Sequence, residues 1–421
     1  MEFKFSQSVF LAKLIFIIRF KVLESHYASI FNNLFLVGTM SSVDSPLDDV
    51  LDDVLDVVVV GAGPAGIGVA LALIDADIES LLILERDSVG SSFAQWPKET
   101  RFITPSFPSN SVGMLDLNSF AIGISPAYAM RIEHPTGQQY AQHLQDVATY
   151  FELPIQEQTT VTNIIKEDGV FRIVTNQEQV FAKHVVWAVG EFQYPRVFSF
   201  VGSSMCRHTA TVESYEDLEG DEFVIIGGYE SGLDAAYHLA RRNKKVKLID
   251  SECPWGEESS DPSIALSTYS FERMLDPLFM SNVELIPETQ VTQVEEDQRG
   301  GYQVQTENGR SFNTTTKPLL AIGFTGGHGL VSDLFELRED GFPLLTKDDE
   351  STEIPGIFMC GPYVRHGDLI FCFIFKYRQR FAVVAKAIAT SLGLPAEGLE
   401  EYRQWGMYLD DLTVCGQDCV C

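Results

Sequence analysis

The run from Asp56 to Gly66, DVVVVGAGPAG, constrains this chain more than any other part of it. Four consecutive valines read as a strand buried on both faces. Gly61, Gly63 and Gly66 then give G-x-G-x-x-G spacing at a strand-to-helix turn, with Ala62, Pro64 and Ala65 filling the loop. Gly61 permits the tight turn, Gly63 leaves room for a pyrophosphate against the backbone, and Gly66 lets helix and strand pack closely. The helix N-terminus offers unpaired N–H groups and the positive end of a dipole. Glu85, with Arg86 beside it, ends a second apolar strand, LLILE, about where an acid accepts from ribose hydroxyls. Strand, turn, helix, strand and acid in this order predict a dinucleotide site. The plain alternative is a glycine-rich βα turn that binds nothing.

A second unit of the same kind follows. EFVIIGGYESG (Glu222 to Gly232) leads into LDAAYHLARR as a helix and KVKLID as a strand ending at Asp250. Gly227 and Gly232 hold the first and third glycine positions, but Tyr229 stands at the second, where a backbone must approach pyrophosphate. Ser231 completes the candidate loop. This unit reads either as a second nucleotide site or as a Rossmann unit kept for structure alone. Asp250 favours NADH over NADPH, since an acid there accepts from a 2′-hydroxyl and repels a 2′-phosphate. Arg241, Arg242, Lys244 and Lys245 lie close in sequence and argue the other way.

With the two glycine loops, VVWAVGEFQYP (Val185 to Pro195) and LLAIGF (Leu319 to Phe324) resemble the two-dinucleotide-binding-domain flavoproteins. That group includes thioredoxin-reductase-like enzymes, flavin-containing monooxygenases and N-hydroxylating monooxygenases. The resemblance covers roughly residues 56 to 390. The two segments look like the group's paired ATG-type crossings, with Val189 and Ile322 in place of threonine, which makes Ala188 and Gly190 cofactor contacts. The resemblance implies an α/β fold of two Rossmann-like (ββα) dinucleotide-binding domains. FAD would bind the first and NAD(P)H, as co-substrate, the second, with the NAD(P) domain inserted in the FAD domain. The expected division is 1–55 as an extension and acidic lead-in, 56–215 plus 318–398 as the FAD domain, 216–317 as the NAD(P) domain, and 399–421 as a tail.

The resemblance also suggests further contacts. Phe93 to Leu115 is loop-rich, and its Phe93, Trp96, Arg101, Thr104 and Ser106 are candidates to touch flavin or substrate, or else belong to a packed surface loop. His134 to Phe151 reads as a helix with Tyr140, Leu144, Val147 and Phe151 on its apolar face. His134 and His143 read as cap and surface residues. A β-meander with turns at Asp168–Gly169 and Asn176–Gln177 follows, and the group places adenine against such a meander, near Val161. A Gly-Asp pair holds the flavin ribityl chain in the group. Here Pro362 follows Gly361, and Asp368, six residues on, is the nearest substitute.

Apolar residues are 45% of the chain and charged residues 21%, ordinary values for a globular enzyme. The net charge of −29 argues against nucleic acid and anionic membranes, since counterion release needs clustered Lys and Arg. The expected partner is a small-molecule substrate, with a homodimer kept open. Val9 to Leu23 is apolar but interrupted by Lys13, Arg19 and Lys21, which speaks against a signal peptide or a span. It reads either as an interfacial helix or as the product of an upstream start, with Met40 the true one. Cys206, Cys253, Cys360 and Cys372 are isolated in sequence, and no C-x-x-C is present. The tail CGQDCVC carries Cys415, Cys419 and Cys421, which read as an electron shuttle to a disulfide, a soft-metal site, or incidental residues. Such cysteine usage fits a reducing, cytoplasmic setting. The expected function is an FAD-dependent NAD(P)H oxidoreductase of monooxygenase-like type. A tail-based thiol/disulfide oxidoreductase and a non-catalytic redox sensor or metal-binding protein are the alternatives.

Overall fold

The computed structural model describes residues 54–259, 261, 263–298 and 300–413. The N-terminal apolar segment and the cysteine tail lie outside the described residues. The first sheet is built on β1 (Leu55–Val60), which pairs in parallel with β2 (Leu81–Leu84) on one side and with β6 (Gln179–Trp187) on the other. Two parallel neighbours and helices on the faces leave Val57 to Val60 almost without exposure, which is why the strand is a valine run instead of an alternating one. β3 (Ile155–Gln156) extends the sheet beyond β2. β4 (Val161–Glu167), β5 (Val170–Thr175) and the first half of β6 form the expected antiparallel meander. The second half of β6 pairs in parallel with β15 (Ile357–Met359), close to the end of the chain.

The helix after the first glycine loop, α1 (Pro64–Asp75), is buried continuously from Pro64 to Leu73. It needs no polar face because α4 (Phe381–Ser391) covers it, and at Gly68 a side chain would overlap the Phe381 ring. α2 (Gly137–Tyr150) starts at a capping box in which Thr136 and Gln139 exchange hydrogen bonds. His143 corrects the expectation of a surface residue: it is buried, and its Nε2 has no partner among the described residues. Burial lowers its pKa, so it stays neutral and packs edge-on to Phe120.

The second sheet has the parallel order β10-β9-β8-β14-β7. Its members are β7 (Arg207–His208), β8 (Glu222–Ile226), β9 (Lys245–Ile249), β10 (Val283–Ile286) and β14 (Leu319–Leu320), all lying in sequence between β6 and β15. α3 (Glu230–Ala240) follows β8 as α1 follows β1. The two crossings run side by side, with Pro195 bridged to Phe324 and the Arg196 N–H donating to the Gly323 carbonyl.

A polar clasp joins the loop after Trp96 to the second sheet's helix. Glu99 accepts from the Ser214 hydroxyl at 2.6 Å and the Tyr215 N–H at 3.1 Å. The Thr100 hydroxyl donates to Asp234 at 2.6 Å, and Asp234 also holds Arg273 at 2.5 Å. Burial opposes ionisation of Asp234, yet Arg273 and His238 hold its carboxyl well below the usual carboxylate range. Breaking a buried pair leaves a buried cation without its counter-charge, so Asp234→Asn should cost about 3–5 kcal/mol. The sign is that of a depressed carboxyl. The wild-type advantage is complete above the unfolded pKa of roughly 4 and shrinks as pH falls through the folded value. Urea unfolding of both proteins at neutral pH and near pH 3 checks this. Equal midpoints at neutral pH would mean the clasp contributes nothing.

Candidate functional site

The ends of β1, β2 and β6 and the N-terminus of α1 open onto one cavity of about 580 Å³, a size typical of small-molecule and cofactor sites. Its wall includes Gly61, Gly63, Pro64, Ala65, Glu85, Arg86, Phe93, Trp96, Arg101, Thr104, Val161, Ala188 and Gly190. Residues separated by more than a hundred positions are thus brought to one surface.

The glycine loop does what its spacing demands. Gly61 has φ +106°, and a Cβ there would press on the Ala188 carbonyl. A Cβ on Gly66 would overlap the Gly61 carbonyl oxygen, so that glycine is required by packing alone. Gly63 differs: a Cβ would meet nothing within 4 Å, because the residue faces the cavity. Pro64 has no N–H to satisfy, and the N–H groups of Ala65 and Gly66 find no backbone acceptor among the described residues. An open cradle, free N–H groups and a helix dipole fit a pyrophosphate. Ala62 lies beneath the cradle and donates its N–H to Glu85 Oε2 at 2.8 Å, while Glu85 Oε1 takes the Asp87 N–H at 2.9 Å. Each carboxylate oxygen has two lone-pair sites, so this buried acid is fixed in place with capacity left for ribose hydroxyls. Arg86 pairs with Asp87.

The far end of the cavity is aromatic. Phe93, Trp96, Phe102 and Tyr140 pack ring to ring, with centroids 4.5–5.5 Å apart. Two expectations are corrected here. Ser106 is buried away from the wall, where it accepts from Asn118 Nδ2 at 2.8 Å. Asp368 is exposed at the turn between β16 (Arg365–His366) and β17 (Leu369–Ile370) and does not reach the cavity. Gly361 sits behind the wall, where a Cβ would touch that of Ala65, and Pro362 occupies the lining. A two-residue strand pair carries Asp368 outward, which sequence offset alone does not reveal.

The wall also includes Glu191 and Tyr377, which no sequence motif marks, and Cys372, which the sequence shows only as an isolated cysteine. Glu191 directly follows Gly190 at the first crossing, and Cys372 precedes the short helix Ile374–Tyr377. A charged residue just past a small-residue turn and a thiol before a helix start were the available signals. Cys372 Sγ lies 3.0 Å from Ser263 Oγ, which also accepts from Lys376 Nζ at 2.8 Å.

The second glycine loop opens onto another cavity, of about 690 Å³, lined by Gly227, Tyr229, Ser231 and Asp250. Asp250 repeats the role of Glu85: its Oδ2 takes the Gly228 N–H at 2.5 Å and its Oδ1 the Glu252 N–H at 2.8 Å. Gly232 packs against the Gly227 carbonyl as Gly66 does against Gly61. Tyr229 lines the cavity and donates its hydroxyl to the Ala265 carbonyl at 2.8 Å. Tyr229, Ser231 and Ser263 line both cavities, forming a shared wall. Arg241, Arg242, Lys244 and Lys245 are not at this site. They follow the C-terminus of α3, about 16 Å along the helix from the loop, and pair with Asp276, Glu216 and Asp221 or hold Asn282.

Comparison with known proteins agrees with this geometry. The model of the pyridine nucleotide-disulphide oxidoreductase family matches residues 58–361. The uncharacterized oxidoreductase CzcO-like of Geobacillus kaustophilus is 28% identical over 44% of this chain and 51% of its own, so the chain spans about half the length of the first curated relatives it matches. A ferredoxin–NADP reductase of Bradyrhizobium sp. strain ORS 278 is 27% identical over 72% of this chain and 82% of its own. Among solved structures, the bacillithiol disulfide reductase Bdr from Staphylococcus aureus superposes with a TM-score of 0.64 at 19% identity, covering 80% of this chain and 98% of that one. A flavin-containing monooxygenase from Stenotrophomonas maltophilia gives 0.61 at 14% identity, covering 81% and 99%. At these identities the solved structures show the fold alone: mixed α/β, with two dinucleotide-binding domains. By its matched residues, the chain belongs to the pyridine nucleotide-disulphide oxidoreductase family.

Proposed function

We propose that the chain is an FAD-dependent oxidoreductase that takes hydride from NAD(P)H and passes the electrons to dioxygen, with a small organic molecule as second substrate. The observation that carries this reading is the shared wall. Two glycine-loop cavities share Tyr229, Ser231 and Ser263 in their walls, an arrangement that supports one nucleotide bound in each, side by side. Bound along Gly61 to Gly66 and Glu85, FAD would supply a hydride acceptor at N5 and a two-electron donor to the acceptor. Hydride transfer needs atoms roughly 3–3.5 Å apart. The residues contribute position: Glu85 and the cradle hold one nucleotide, Asp250 and Gly227 to Gly232 hold the other, and the Glu99–Thr100 clasp sets the angle between the sheets. Phe93, Trp96, Phe102 and Tyr140 exclude water from the aromatic end.

Dioxygen is favoured over an internal dithiol because the free cysteines Cys206, Cys253, Cys360 and Cys372 form no pair among the described residues. Burial pushes the Cys206 thiol up to about 12 and raises Cys360 further from reactivity. The test is a spectrum of the purified protein, followed by anaerobic NADH or NADPH and then oxygen uptake across amines, ketones and thiols. A protein that cannot be loaded with FAD, or whose flavin neither nucleotide bleaches, defeats the proposal. Deleting the residues after Val414 should leave bleaching and oxygen uptake as they are. A truncated chain that keeps bleaching but loses reduction of an aromatic disulfide would move the second half-reaction to Cys415, Cys419 and Cys421.

A further inference from the structure

Four carboxylates face the main cavity: Glu85, Glu191, Glu230 and Asp234. Three of them are engaged. Glu85 takes the Ala62 and Asp87 N–H groups, Glu230 the Ser267 N–H and Ser270 hydroxyl, and Asp234 Thr100 and Arg273. Glu191 alone of the four has, among the described residues, neither a hydrogen-bond donor nor an ion pair on its carboxyl group. It follows Gly190 at the end of the first crossing, where its carbonyl accepts from the Tyr194 N–H, and it lines the cavity wall.

We propose that Glu191 is the catalytic acid of the oxidative half-reaction, delivering the proton that a two-electron acceptor needs when it takes hydride from the cofactor. The inference rests on the FAD and NAD(P)H sites of the reading above and concerns any acceptor that must take up a proton on reduction, for which a quinone serves as the probe in place of dioxygen. With a quinone as acceptor, bound reduced FAD would supply a hydride, the hydrogen with both electrons, to the quinone. The Glu191 O–H breaks and its proton goes to a quinone oxygen, and solvent then reprotonates the carboxylate. The sum is NAD(P)H plus H⁺ plus quinone giving NAD(P)⁺ plus hydroquinone.

Cys372 and Tyr377 line the same cavity as Glu191, and these two together with Arg365 and Tyr363 are the titratable groups that interact with it electrostatically. Burial raises the Glu191 pKa above the ordinary carboxyl value, with the Arg365 charge opposing it. A carboxyl raised above its ordinary value keeps its proton to higher pH and so serves better as a proton donor. Its neighbours do not compete, because burial pushes Cys372, Tyr363 and Tyr377 up from values already well above neutral. Arg365 donates to the Pro362 and Val364 carbonyls and is bound in place as a cation.

The experiment is Glu191→Gln, which keeps shape and removes the acid. Menadione takes up protons on reduction and ferricyanide takes none. With nucleotide and menadione, turnover should fall about 100-fold or more and lose its alkaline limb, while ferricyanide turnover and anaerobic bleaching match wild type. A second readout needs no flavin. Infrared difference spectra of the flavin-free wild type minus E191Q should show a protonated carboxyl stretch whose titration midpoint lies above that of an ordinary glutamic acid. Menadione and ferricyanide turnover falling together, menadione turnover unchanged in E191Q or absent in wild type, or a missing carboxyl band would each overturn the assignment. Failure of both nucleotides to bleach the flavin would instead strike the proposed function, and the infrared band would still decide Glu191.

Discussion

Gly63→Val should purify folded, monodisperse and colourless. The expectation depends on a contrast inside the first loop. A side chain at Gly66 would overlap the Gly61 carbonyl oxygen, and one at Gly61 would press on Ala188 in a left-handed backbone. Either substitution distorts the loop, and loss of cofactor would then report only damage. At Gly63 the space is open and φ is −85°, which any residue adopts. Valine therefore fits the protein but fills the cradle where the phosphates pass. FAD retention should drop by at least roughly 100-fold, which corresponds to about 2.7 kcal/mol, with the urea midpoint near that of wild type. Glu85→Ala should weaken FAD less, by about 1.5–3 kcal/mol for a charge-assisted hydrogen bond. A Gly63→Val preparation as yellow as wild type would show that pyrophosphate does not lie on this loop.

The same contrast explains how much could be read from residues alone. Local rules carried the βαβ units. A valine run needs two covered faces, a positive-φ glycine turn needs no Cβ, and an acid ending the second strand falls beside the loop because parallel strands end together. These rules placed Gly61 to Gly66 with Glu85, and Gly227 to Gly232 with Asp250, on their cavities. They failed where position depends on a path instead of a pattern. Asp368 was matched by its offset from Gly361, but the β16–β17 hairpin turns it to solvent. Ser106 lies two residues after the cavity-lining Thr104, yet it is buried behind the wall on the side chain of Asn118. Glu191 was quoted inside a motif without being singled out. Nothing local distinguishes it from a surface glutamate, and its enclosure comes from residues near 363, 372 and 377, more than 170 positions later. His143 misled for the same reason, since only tertiary packing buries a polar residue on that helix.

NADH should reduce the protein with a bimolecular rate constant roughly 10–100-fold above that of NADPH, and the surface around the second loop gives the reason. NADPH differs by a 2′-phosphate carried next to the acid that ends the second strand. Here that acid is Asp250, fixed by the Gly228 and Glu252 N–H groups, and Glu252 and Glu257 line the same cavity. Arg196 is the one cation lining it among the described residues. The four basic residues that sequence proximity offered as a phosphate site are held at the opposite end of α3. A dianionic phosphate brought against three carboxylates, with Arg196 the one cation to offset them, is disfavoured by about 1.4–2.7 kcal/mol for the stated ratio, and added salt should narrow the gap by screening. Asp250→Ala should shrink the preference from both sides, costing NADH its ribose contact and relieving NADPH of a repulsion. Stopped-flow bleaching with each nucleotide at low, equal concentration measures the ratio directly. Faster reduction by NADPH would mean that the 2′-phosphate leaves the Asp250 side of the cavity and docks near Arg196.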